Sequence, residues 1–116
     1  MAGKISVIGD VPVSATLAPG ARGAQAIVAA AGEDVRPAVR LAPAAVVLIV
    51  DGAPADVERV LATTLLPRHR VLGVARSDAE RAAAAATGGE PIELRATLAG
   101  GERDVTLGRG GITAAR

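Results

Sequence analysis

Two charged residues, Asp78 and Arg81, stand three apart in the stretch PRHRVLGVARSDAER, Pro67 to Arg81. On a helix that spacing puts them on one face. A carboxylate and a guanidinium so placed could serve one site. Their ordinary alternative is structural. An aspartate in a first helical turn favours the helix dipole, and an arginine keeps an alanine-rich helix soluble. Further along, GGERD, Gly100 to Asp104, offers Glu102 and Asp104 as a paired acid site, or simply as polar residues at a hairpin turn. The single histidine, His69, sits between Arg68 and Arg70 before a strand. It could meet an anion or be an exposed loop residue. One histidine and no cysteine leave no zinc set and no disulfide framework.

Positioning such residues needs a core, and this chain builds it without Phe, Trp or Tyr. Half of its 116 residues are apolar, with 27 alanines among them. The core must be aliphatic and fine-grained, in one domain over 1–116. Net charge is +1 with scattered basic residues, which gives no nucleic-acid footprint. The longest strongly apolar run, Ala44 to Val50, is too short to span a bilayer, and the N-terminus lacks the apolar region of a signal peptide. A cytoplasmic protein without nucleic-acid or membrane partners is the expectation.

Apolar periodicity predicts the elements. KISVI, Lys4 to Ile8, reads as a buried strand ending at Gly9. A short helix is predicted around Val13 to Ala18. Gln25 to Ala31 is a second strand, closed by Gly32. Asp34 to Ala42 is helical, with Pro37 in its first turn. Ala44 to Val50 suits a central parallel strand covered on both faces. Ala55 to Leu65 follows helical spacing, and Arg70 to Ala75 is a strand. Ser77 to Thr87 reads as a helix with a capping box, Ser77 as N-cap and Glu80 three residues on. Ile92 to Leu98 alternates, and Gly100-Gly101 turns it into Val105 to Leu107. Residues 110–116 read as a mobile tail. Strands alternating with helices predict an α/β fold, an open and mostly parallel sheet with right-handed crossovers.

Several patches resemble the lactate/malate dehydrogenase family. KISVIG with SATLA, Ser14 to Ala18, is similar to its first strand and nucleotide-binding helix. VRPAVRLAPAAVVLIV and PADVERVLA are similar to the central helix, strand and following helix. The Pro67 to Arg81 stretch resembles the segment that carries its Asp-x-x-Arg, and LAGGERD resembles its histidine loop. The resemblance implies a reduced Rossmann-like three-layer sheet with a C-terminal β-hairpin. It implies vestigial catalytic roles for Asp78 and Arg81, with Glu102 where the family carries its histidine. It places any nucleotide beside Gly9, Asp10 and Gly32.

The departures predict loss of the reaction. Hydride transfer of this type needs a base for the hydroxyl proton, and the histidine is gone. Of the dinucleotide glycines only Gly9 survives. Asp10 brings negative charge to the phosphate position, and Pro12 removes a backbone donor. The turn asparagine is replaced in Asp51-Gly52-Ala53-Pro54, and the substrate loop shrinks to Gly32-Glu33-Asp34. No cofactor is expected; NAD is the one the resemblance would allow. In the family's sheet order the deletions leave Lys4 to Ile8 as an apolar edge strand, which proteins usually cover. The expected function is therefore protein association through that edge, as a homo-oligomer or with a full-length dehydrogenase subunit. The alternative is a small-ligand or nucleotide binder with residual 2-hydroxy-acid dehydrogenase activity.

Overall fold

Five consecutive apolar residues, Val46–Val50, are all buried and form strand β4 at the heart of the sheet. Val46, Leu48 and Val50 enter one hydrophobic cluster, Val47 and Ile49 the other. Both faces of β4 are thus covered, which is why it carries no polar residue. The computed structural model describes residues 4–14, 18–19 and 22–116, with backbone alone at 18–19.

Around β4 lie β1 (Lys4–Ile8), β2 (Ala18–Pro19), β3 (Ala26–Ala30), β5 (Val71–Val74), β6 (Ile92–Leu98), β7 (Gly101–Gly108) and β8 (Gly111–Ala115). The spatial order is β2-β1-β3-β4-β5-β6-β7-β8. From β2 to β5 all neighbours are parallel; from β5 to β8 all are antiparallel. From β1 the chain steps outward to β2 and then returns past β1 to β3.

Two helices serve the second cluster. In α1 (Arg36–Leu41), Pro37 sits in the first turn, where its missing N–H costs nothing. Asp34 accepts from the Arg36 backbone N–H at 3.1 Å and from the Arg36 guanidinium at 2.9 Å. In α2 (Pro54–Thr64), Val57 and Val60 face the sheet. Its N-terminus is closed by Asp56, whose carboxylate accepts from the Ala53 N–H at 2.8 Å. Its C-cap, Leu65, has φ 59° and is 88% exposed.

The first cluster is organised by α3 (Ala79–Ala86), in which Ala79, Ala82, Ala83, Ala85 and Ala86 are buried. This helix touches β3 and β4 on one side of β5, and β6 and β7 on the other. Methyl side chains let it lie close to both halves of the sheet. The halves join at β5 and β6 through only two residue pairs, Gly73↔Thr97 and Val74↔Ala96. A Cβ on Gly73 would stand 2.7 Å from the Gly52 carbonyl oxygen and 3.0 Å from the Thr97 Cβ. The joint closes because Gly73 has no side chain.

This architecture corrects the expected fold class. The molecule is not an open, mostly parallel, Rossmann-like three-layer sheet with a hairpin appended. It is one mixed sheet whose C-terminal half is antiparallel, with short and few helices among the described residues. The reason lies in the connections. Tight turns at Ala99-Gly100 and Arg109-Gly110 can join only antiparallel neighbours, and parallel pairing needs a crossover of a dozen residues or more. The tail read as mobile forms β8 on β7. Gly111 packs so tightly on the 3₁₀ turn Arg68–Arg70 that a Cβ would overlap the His69 carbonyl. The expected capping box at Ser77 does not form: α3 starts at Ala79 with Asp78 as its N-cap. Glu80 instead accepts from the Ser14 hydroxyl, tying the β1–β2 connection to α3. Of the helix predicted around Val13 to Ala18, residues 15–17 lie outside those described, and Val13 and Ser14 are not helical. No helix among the described residues is long and apolar enough to cross a membrane.

Two outcomes follow from these contacts. Gly73→Ala forces backbone and Thr97 apart, and destabilisation of about 1–3 kcal/mol is expected in urea unfolding; an unchanged midpoint would contradict the joint as described. The Arg36 hydrogen bonds hold the Asp34 carboxyl at about 2, against an ordinary 3.8. Because the folded value is the lower one, the contact is fully present above the ordinary carboxylate value and is lost as pH falls through about 2. An NMR titration of the Asp34 side-chain carbon should show that midpoint; one at the ordinary value would refute the pairing.

Candidate functional site: a cleft where the two halves of the sheet meet

The turn after β4 shapes this site. Asp51 adopts φ 55°, a left-handed conformation that aspartate tolerates better than most residues. Its N–H donates to the Val74 carbonyl at 2.8 Å, and its carboxylate accepts from the Arg76 N–H at 3.1 Å. The ends of β4 and β5 are thereby laced together. Gly52 follows, buried, with no room for a Cβ against the Ile49 side chain.

Beside this lacing opens a cleft of about 310 Å³, lined among others by Asp51, Gly73, Asp78, Arg95, Thr97 and Glu102. Its walls come from both halves of the sheet. Arg95 reaches Glu102 at 3.8 Å and Asp104 at 3.4 Å across the β6–β7 pair. Arg81 contacts Asp78 at 3.5 Å. Arg76 reaches from the same turn to Asp10 at 3.7 Å. The charges at this end of the molecule are cross-paired, arginine to carboxylate, in partly exposed contacts that contribute little stability each.

The residues picked from the sequence are partly brought together. Asp78 and Glu102, one on each half of the sheet, line the same cleft. Arg81 is joined to it through Asp78 and does not line it. Asp104 is linked through Arg95. Gly9, Asp10 and Gly32 lie beyond the cleft, at the ends of β1 and β3. Gly9 has φ 82°, and a Cβ there would stand 3.1 Å from both the Ala30 Cβ and a Glu33 carboxylate oxygen. A phosphate approaching Gly9 would face Glu33 and the nearly fully exposed Asp10, two like charges, and no described side-chain cation other than Arg76 reaches Asp10. His69 is exposed on its 3₁₀ turn, with its carbonyl against Gly111, and takes no part in the cleft.

Sequence reasoning missed Arg95 and Thr97 as site residues. The signal was present in part. Arg95 and Thr97 are the polar positions of an alternating strand, so they share a face opposite Leu94 and Ala96. Nothing in the local pattern says that this face meets the turn after β4. Among the described residues no group of three or more His, Asp or Glu side chains is placed to hold a metal ion. Every buried side-chain nitrogen or oxygen among them has a hydrogen-bond partner. No family model, curated protein or solved structure matches this chain.

The lacing by Asp51 is open to test. Asp51→Ala removes the acceptor for the Arg76 N–H and places a Cβ-bearing residue without a polar side chain in the left-handed region. A loss of about 1–2 kcal/mol is expected. Asp51→Asn keeps both features and should stay within about 0.5 kcal/mol. Equal losses for the two variants in urea unfolding would show that the carboxylate geometry is irrelevant.

Proposed function

We propose that this domain works by protein association through the open edge of β1, without catalysis of its own. One observation carries this reading. Among the described residues, the outer side of β1 is paired at Lys4 and Ile5, by the two-residue β2. From Ser6 to Ile8 the pairing among the described residues is with β3 alone. Proline at the second β2 position has no N–H with which to donate to a ladder. Val7 is 49% exposed, a large apolar residue beside the buried Ile5 and Ser6 of the same strand. An apolar edge with free backbone groups templates another strand.

The resemblance raised two partners, a second copy and a full-length dehydrogenase. The mixed sheet favours the copy, since its antiparallel half departs from the parallel order that a dehydrogenase subunit presents. The charges near the cleft support the non-catalytic reading. Glu102, where the resembled family carries its histidine, is engaged by Arg95, and Asp78 is engaged by Arg81.

A second reading rests on the cleft itself. Three carboxylates, Asp51, Asp78 and Glu102, and one arginine line a volume at the lower end of the range for small-ligand sites. That balance suits a small zwitterion with an ammonium group, rather than a nucleotide.

Sedimentation velocity from 10 µM to 1 mM — roughly the span in which edge-strand contacts of this size should act — separates the readings. Association that strengthens with concentration and is abolished by Val7→Lys, with the far-ultraviolet spectrum unchanged, is expected. A monomer throughout, stabilised against heat by amino acids or diamines, would replace association with the ligand reading.

A further inference from the structure

We infer that a second opening at the β5–β6 joint, beside α2, binds a small carboxylic acid with an aliphatic tail. The inference stands apart from the association reading and from the cleft at Asp51. Strand register is the first observation. Strands β5 and β6 pair at Gly73↔Thr97 and Val74↔Ala96 and no further. Continued antiparallel register would set Leu72 with Leu98 and Val71 with Ala99. The ladder stops before those pairs, and α2 lies against both strands. A cavity of about 220 Å³ occupies this place, and Val57, Leu61, Val71 and Leu98 give it an aliphatic floor.

Charge is the second observation, independent of the first. Arg68, from the 3₁₀ turn before β5, and Arg103, from β7, line the same cavity, and no carboxylate lines it. Among the described residues neither guanidinium has an ion pair or a side-chain hydrogen bond, whereas Arg76, Arg81 and Arg95 are each held by a carboxylate. Glu102 precedes Arg103 on β7 but lies on the other face of the strand, turned to Arg95. Two like charges brought to one cavity disfavour each other, and an anion seated there is attracted to both. A guanidinium takes a carboxylate through two parallel hydrogen bonds. An alkyl tail on that carboxylate then leaves water for the aliphatic floor. Drug-sized sites begin at roughly 300 Å³, so this smaller cavity suits a short acid of about four to eight carbons.

Titration of the whole chain, labelled with nitrogen-15, with sodium hexanoate tests this by NMR. Saturable shifts at the amides around Val71, Leu98 and Arg103 are expected. Butyrate should bind roughly tenfold more weakly, through loss of two methylenes at about 0.8 kcal/mol each. Inorganic phosphate, which lacks the tail, should be weaker still. Hexylamine, with the same tail and the opposite charge, should leave these amides unmoved. Arg68→Gln and Arg103→Gln should each weaken hexanoate about tenfold, with the circular dichroism unchanged. Arg109→Gln, at an exposed arginine outside the cavity, should have no effect. Affinity that does not grow with the tail, equal shifts from hexylamine, or binding that survives both cavity substitutions overturns the proposal. So does the absence of any saturable shift.

Discussion

The alanine helix α3, packed on strands of both halves of the sheet, is the constraint on which the rest depends. A chain without aromatic residues cannot fill a wide core, so its layers must approach closely. Alanine on five buried positions of one helix allows that. Both halves of the sheet then reach the same helix. The joint between β5 and β6 has only two residue pairs and requires a glycine. It also creates the cleft, because Asp51 and Asp78 from one half and Arg95 and Glu102 from the other converge beside Gly73. It brings the beginning of β8 onto the turn before β5, where Gly111 meets the His69 carbonyl.

Apart from β2, whose Ala18 fell in a predicted helix, the parallel half was legible in the residues, because its elements each have a pattern of their own. Val46–Val50 is apolar without interruption, and Val57, Val60 and Leu61 recur with helical spacing. The antiparallel half was legible in pieces: alternation over Ile92–Leu98 and a hairpin at Gly100-Gly101. Its weight in the fold was not, because the resemblance to a parallel family drew the reading toward a Rossmann-like sheet. β8 was missed since GITAA offers one large apolar residue; it is a strand because β7 presents an edge to it. At the cleft, Asp78 and Glu102 were chosen by resemblance, while Arg95 and Thr97 depend on the joint, which no local pattern encodes.

The distribution of charge bears on what the molecule does. The carboxylates at the cleft stand with arginines, Asp78 with Arg81 and Glu102 with Arg95. At the β1 and β3 ends Asp10 and Glu33 present negative charge. The large apolar residues lie mostly within the sheet and its helices, with Val7 of β1 49% exposed.

Amide hydrogen exchange at β1, followed by NMR as a function of protein concentration, tests the association account most directly. Ser6 and Ile8, bonded to β3, should be protected at every concentration. Val7 should exchange rapidly in dilute solution and become protected as the protein is concentrated. A Val7 rate that does not change with concentration would contradict the account.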